Sequence, residues 1–137
     1  MERILIIDDE QQIRSMLRLM LEREGYEVVE APDGSEGMKA YRQKPVDLVI
    51  TDLIMPNKDG IGMIIELKKE FPDVKIIAMS GGGLNKPDGY LKGAKKLGAA
   101  CTLTKPIDRD KMLRAVKSII KGNAPELEET PPEPESE

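Results

Sequence analysis

Apolar and polar positions along residues 1–121 fall into blocks that repeat one pattern five times: a short β-branched run, then an amphipathic helix. Ile4-Leu5-Ile6-Ile7 is continuously apolar, the pattern of a strand covered on both faces. It stops at Asp8-Asp9-Glu10. Ile13, Met16, Leu17, Met20 and Leu21 then recur at helical spacing, and Gly25 is a helix stop. Tyr26 to Glu30 predicts a second, weaker strand, and Asp33-Gly34-Ser35 opens a short helix with Met38 and Tyr41 on its apolar side. Val46 to Thr51 predicts the third strand, ending at Asp52, before the turn chemistry of Met55-Pro56-Asn57-Lys58-Asp59-Gly60. Ile61, Ile64, Ile65 and Leu67 give a third helix that Phe71-Pro72 terminates. Val74 to Met79 is the fourth strand, closed by Ser80. A Gly81-Gly82-Gly83 loop and a helix from about Pro87 to Leu97 follow. Ala99 to Leu103 is the fifth strand. Met112, Leu113, Val116, Ile119 and Ile120 stripe a last helix between Asp108 and Lys121-Gly122.

Strict alternation of strands and helices implies a parallel sheet with right-handed crossovers and helices on both faces. The expected fold is therefore α/β, a doubly wound five-stranded parallel sheet in the flavodoxin-like order 2-1-3-4-5. Ligands in such sheets sit beyond the carboxyl ends of the strands, beside the switch point between strands 1 and 3.

Charge divides the chain in two. Six of the 25 acids and none of the 21 bases fall in residues 122–137, so the preceding body carries a formal charge of +2. That last stretch also holds four of the ten prolines, and it is read as a disordered acidic tail after a domain spanning 1–121. The chain has no His, which removes Ser-His or Cys-His catalysis, His-ligated zinc and imidazole pH switching. The single Cys101 can form neither an internal disulfide nor a multi-Cys metal site. No apolar run approaches the ~20 residues of a membrane span, and the amino terminus lacks a signal-peptide pattern, so a cytoplasmic location is expected. A nearly neutral body with four aromatic residues argues against direct nucleic-acid binding.

Few polar residues leave the strands on the carboxyl side: Asp8 and Asp9, Asp52, Ser80, and Thr104-Lys105-Pro106. Any one of them alone is an ordinary cap or turn former, but the topology gathers all of them into one crevice. Two carboxylates ~5 Å apart repel by roughly 3 kcal/mol at an effective dielectric of ~20, and one Lys cannot neutralise three. Either a proton is taken up or a divalent cation binds. The candidate ligands are all oxygen, which selects a hard ion such as Mg²⁺. A carboxylate beside Mg²⁺, Lys and Ser has the parts to accept a phosphoryl group as an acyl phosphate.

These residues, with Met55-Pro56, Asp59-Gly60, Gly98-Ala99 and Lys105-Pro106 in that order, resemble a response-regulator receiver domain over residues 3–121. The resemblance implies that Asp52 is the phosphoacceptor, and that Asp8, Asp9, Asp52 and the backbone carbonyl of Ile54 hold Mg²⁺. It further implies that Ser80 hydrogen-bonds a phosphoryl oxygen, that Lys105 pairs with it, and that the Lys105–Pro106 bond is cis. Without His the chain cannot be the phosphohistidine donor, so a sensor histidine kinase or histidine phosphotransfer protein is the expected partner, and the chain is not itself a turnover enzyme. Receivers often carry Tyr or Phe three residues before the Lys; here that position is Thr102, which has no ring to move. The Ser80–Gly98 stretch is longer than usual and glycine-rich, so a loop that orders on phosphorylation is expected there.

Rival readings fit less well. Asp8-Asp9-Glu10 would repel a flavin phosphate, a haloacid-dehalogenase-type phosphatase would need Asp at position 10, and no P-loop is present. A receiver-like protein-binding module that is never phosphorylated would be expected to have lost the acceptor, the acidic pair or the Lys. Since no second domain follows the fifth predicted helix, a chemotaxis-type single-domain regulator is expected. It would dock a protein target or relay phosphate through the face of helix 4, strand 5 and helix 5, where Lys92, Lys95, Lys96, Lys111, Arg114, Lys117 and Lys121 lie. A monomer is expected, with phosphorylation-dependent dimerisation as the alternative.

Overall fold

The computed structural model describes residues 1–53, 60–80 and 95–122. Five strands, β1 (Arg3–Ile7), β2 (Glu27–Ala31), β3 (Leu48–Asp52), β4 (Ile76–Ser80) and β5 (Cys101–Thr104), form one sheet in the order β2-β1-β3-β4-β5. Every pairing is parallel. Four helices are described: α1 (Gln11–Arg23), α2 (Gly34–Gln43), α3 (Gly60–Glu70) and α4 (Arg109–Ile120). This is the doubly wound α/β arrangement expected from the alternation of elements. The helix expected at 87–97 lies outside the described residues apart from a helical turn at Lys95 and Lys96, as do the glycine loop and residues 123–137.

The sheet divides the core into two layers because successive strand side chains point to opposite faces. Ile4, Ile6, Ile50, Ile77, Met79 and Leu103 face α1 and α4, where they meet Leu17, Leu21, Met112, Val116 and Ile119. Leu5, Ile7, Val49, Ile76 and Ala78 face α2 and α3 and meet Met38, Tyr41, Met63, Ile64 and Leu67. Central strands buried on both sides leave no polar face, which is why they read as unbroken apolar runs. Two residues expected on apolar helix faces lie outside them. Met16 and Ile65 are 43% and 48% exposed, because each sits one step around the helix from the stripe that meets the sheet.

Asp33 caps α2 by accepting from the Glu36 N–H, and Asp108 caps α4 by accepting from the Lys111 N–H. Gly98 enters β5 at φ +116°, a left-handed conformation that favours glycine. No helix among the described residues is long and apolar enough to cross a membrane.

Gly60 opens α3 directly against the end of β3. Its N–H donates to the Leu53 carbonyl at 2.9 Å, and a Cβ there would lie 2.4 Å from the Asp52 carbonyl oxygen and 2.6 Å from Leu53 Cα. Gly60→Ala must therefore move backbone. It is expected to cost about 2 kcal/mol in urea denaturation, as overpacked sites do, and to displace Asp52 as well.

Candidate functional site

The register of the sheet brings the strand-end residues together. Ile7 of β1 pairs with Thr51 of β3, so Asp8 and Asp52 come next, side by side. Asp52 and Ser80 are the last residues of their strands and take part in the ladder rather than following it. The Leu53 N–H donates to the Met79 carbonyl, and the Lys105 N–H to the Ser80 carbonyl. The strands accordingly run one or two residues later than the apolar runs suggested: β4 starts at Ile76 rather than Val74, and β5 at Cys101 rather than Ala99. Val74 instead turns back to the Phe71 carbonyl.

Asp8, Asp9 and Asp52 each present a carboxylate oxygen within 4.8 Å of the others; Asp8 and Asp52 are buried and Asp9 is exposed. Lys105 extends from just beyond β5 into this cluster. Its Nζ lies 2.9 Å from Asp8 Oδ2, 3.5 Å from Asp52 Oδ2 and 3.8 Å from Glu10 Oε1. Burial alone would lower the Lys105 ammonium, but the hydrogen bond to Asp8 and the charges of Asp52, Asp8 and Glu10 outweigh it. The group is held above its ordinary value and stays cationic. The other Asp8 oxygen accepts from the Glu10 N–H at 2.9 Å. Ser80 is fully buried at the end of β4, and the Lys105–Pro106 bond is cis.

Three carboxylates against one ammonium leave the crevice with surplus negative charge, all on oxygen. That donor set fits a hard divalent cation: two buried carboxylates fix the floor, and exposed Asp9 opens toward solvent. Asp8, Asp9, Asp52 and Lys105 converge, and Ser80 ends the strand next to Asp52, whereas Ile54 lies outside the described residues. Thr102 is half-buried two rungs before the end of β5, paired with Ala78.

One site neighbour is not signalled by the motifs. Arg14 of α1 donates from Nη1 to the Asp8 carbonyl at 2.8 Å and from Nε to Glu30 of β2 at 3.1 Å. The only hint in the sequence is that Arg14 stands one helical turn beyond Glu10. Its partner Glu30 is 16 positions away, and only the folded sheet brings it near.

The fold and the crevice define a doubly wound α/β protein with a cation-seeking acidic site at the β1/β3 switch point. The family model described as the response regulator receiver domain matches residues 4–117, and the chain belongs to that family. It is similar to the transcriptional regulatory protein GlrR of Escherichia coli (strain K12), with 35% identity over 126 residues. That match covers 92% of this chain but 28% of GlrR, so the chain spans less than a third of that relative. The chemotaxis protein CheY of Treponema pallidum (strain Nichols) is 34% identical over 122 residues, covering 87% of this chain and 83% of CheY. Among solved structures, a response regulator receiver domain protein from Clostridium thermocellum superimposes with a TM-score of 0.82 at 31% identity, covering 89% and 96% of the two chains.

Proposed function

We infer that this receiver accepts a phosphoryl group on Asp52 from a phosphohistidine donor, a sensor histidine kinase or a histidine phosphotransfer protein, and passes the change on to a protein target. The observation that carries this reading is the placement of Asp52: buried at the end of β3, inside a three-carboxylate cluster, with the Lys105 ammonium 3.5 Å away. An Asp52 carboxylate oxygen would attack phosphorus. The P–O bond of an acyl phosphate forms as the P–N bond to the donor imidazole breaks, and the electron pair returns to the imidazole nitrogen, which takes up a proton. Asp8, Asp9, Asp52 and the Ile54 carbonyl would hold Mg²⁺, which when bound supplies positive charge for the phosphoryl oxygens. Lys105 supplies a second cation, and the Ser80 hydroxyl stands at the end of the neighbouring strand to donate to a phosphoryl oxygen. The protein is thus a phosphoacceptor that assists its own phosphorylation and dephosphorylation, not an enzyme turning over an external substrate.

Output through the face of β5 and the last helix is supported by exposed Lys111 and Arg114 on α4, Lys121 at its end, and Lys95 and Lys96. Lys117 belongs elsewhere, because it pairs with Glu24, just after α1, at 3.1 Å. Lys92 lies outside the described residues.

Intact-protein mass spectrometry after incubation with acetyl phosphate tests the reading. One phosphoryl group should be gained with Mg²⁺, none with EDTA, and the adduct should be stable in acid and labile in base. Absence of uptake, together with no binding of beryllofluoride and Mg²⁺, would leave a docking module that is never phosphorylated.

A further inference from the structure

Two of the three clustered carboxylates are fixed by different means. The Asp8 carboxylate is tied down directly, by Lys105 on one oxygen and the Glu10 N–H on the other. The Asp9 side chain is exposed and makes no hydrogen bond or ion pair among the described residues, so the backbone that carries it is its anchor. That backbone is anchored on either side of the Asp8 α-carbon, and only the carbonyl side belongs to the peptide joining Asp8 to Asp9. The Asp8 N–H donates to Ala31 of β2 at 3.2 Å, and the Asp8 carbonyl accepts from Arg14 Nη1 at 2.8 Å.

Arg14 is itself held. Its Nε donates to one Glu30 oxygen at 3.1 Å, while the other Glu30 oxygen accepts from Arg18 Nη1 at 2.5 Å. Arg18 in turn bonds the Val28 carbonyl at 3.2 Å and Glu22 at 3.0 Å. Burial alone would raise the Glu30 carboxyl, but the hydrogen bonds from Arg18 and Arg14 hold it below its ordinary value, so it remains an anion. The chain of contacts runs from α1 and β2 to the one peptide group whose tilt aims Asp9.

We propose that Arg14, braced by Glu30, is a positioning residue for the divalent cation: it fixes the Asp8–Asp9 peptide and thereby places the Asp9 carboxylate for coordination. The proposal rests on the receiver reading, and it makes a claim opposite in sign to simple electrostatics. A cation near a metal site repels the metal, so removing Arg14 should tighten Mg²⁺ binding if only its charge mattered. As a positioning residue, its loss should weaken binding, and groups that orient metal ligands are typically worth roughly 10–100-fold in affinity.

The test is calorimetric titration of Mg²⁺ into the parent, Arg14→Gln, Arg14→Lys and Asp8→Asn, with circular dichroism to establish folding and amide NMR shifts at Asp9 and Glu10. Lys keeps the charge but cannot span Glu30 and the Asp8 carbonyl with a planar fork. Arg14→Lys is expected to bind about tenfold more weakly with displaced Asp9 and Glu10 amides, and Arg14→Gln at least as weakly. Arg14→Lys matching the parent, or Arg14→Gln binding more tightly, overturns the proposal. Should Arg14→Gln fail to fold, Arg14→Lys decides alone. Failure of the receiver reading has a different signature, a parent that does not bind Mg²⁺ or an Asp8→Asn variant that binds as the parent does.

Discussion

Asp52→Asn is expected to take up no phosphoryl group at all from acetyl phosphate and Mg²⁺, while its urea midpoint stays close to that of the parent. The chemical part is all-or-none, because an amide oxygen is too poor a nucleophile to form an acyl phosphate. The stability part follows from opposing charges. At an effective dielectric of about 20, a carboxylate ~5 Å away repels by roughly 3 kcal/mol, and Asp52 has two such neighbours. The Lys105 ammonium at 3.5 Å attracts by roughly 5 kcal/mol on the same scale. Removing the charge forfeits the attraction and relieves both repulsions, the one from exposed Asp9 being more screened. A net change of about 1 kcal/mol or less remains. Phosphate on the variant, seen by intact mass and mapped to another acid, would remove Asp52 from its role. A loss of several kcal/mol without added metal would show instead that Asp52 is chiefly structural.

Lys105→Met should be the most destabilising single change in the crevice. The ammonium is the only cation that contacts both buried carboxylates among the described residues, and removing one partner of a buried pair typically costs 3–5 kcal/mol. A loss of about 3 kcal/mol is expected in metal-free urea denaturation, with part of it recovered on adding Mg²⁺, because a bound cation stabilises the folded state in proportion to its occupancy. The pH dependence has a definite sign. The folded-state value of Lys105 is raised above 10.5 by Asp8, Asp52 and Glu10 against the effect of burial. Its contribution is therefore fully present below about 10.5, the unfolded value, and is lost as pH rises through the folded value. The gap between parent and variant should be flat through neutrality and close only in strong alkali. A variant as stable as the parent in EDTA would mean that water, not Lys105, carries the burden of those charges.

Much of this arrangement is legible in the chain because a strand covered on both faces has no room for polar side chains. The first acid after the apolar run, Asp8 or Asp52, or the closing hydroxyl of Ser80, therefore marks where the sheet meets the crevice. Sheet order follows from alternation, and with it the convergence of those residues on Lys105. Strand edges are less legible. Val74 and Ala99 are apolar like the strand residues that follow them, and only the hydrogen-bond ladder decides that β4 begins at Ile76 and β5 at Cys101. Charged partners are the least legible. Arg14 with Glu30 and Lys117 with Glu24 join elements by geometry alone, and a pattern of hydropathy carries no information about which acid a given base will reach. The turn at Met55–Asp59, with Ile54 before it, falls outside the described residues.

All five strands run the same way, and the helices return against them, so the two ends of the folded body share a side. Arg3 starts β1 at the amino edge of the sheet, and α4 finishes at Ile120 near that same edge, while Asp52, Ser80 and Lys105 stand at the far one. The domain is in effect a cartridge with its socket at one end and its reactive tip at the other. Other polypeptides can be spliced before Arg3 or after Gly122 without crowding the tip. A relative such as GlrR, in which the matched stretch is 28% of the chain, shows that such a unit tolerates a much larger neighbour.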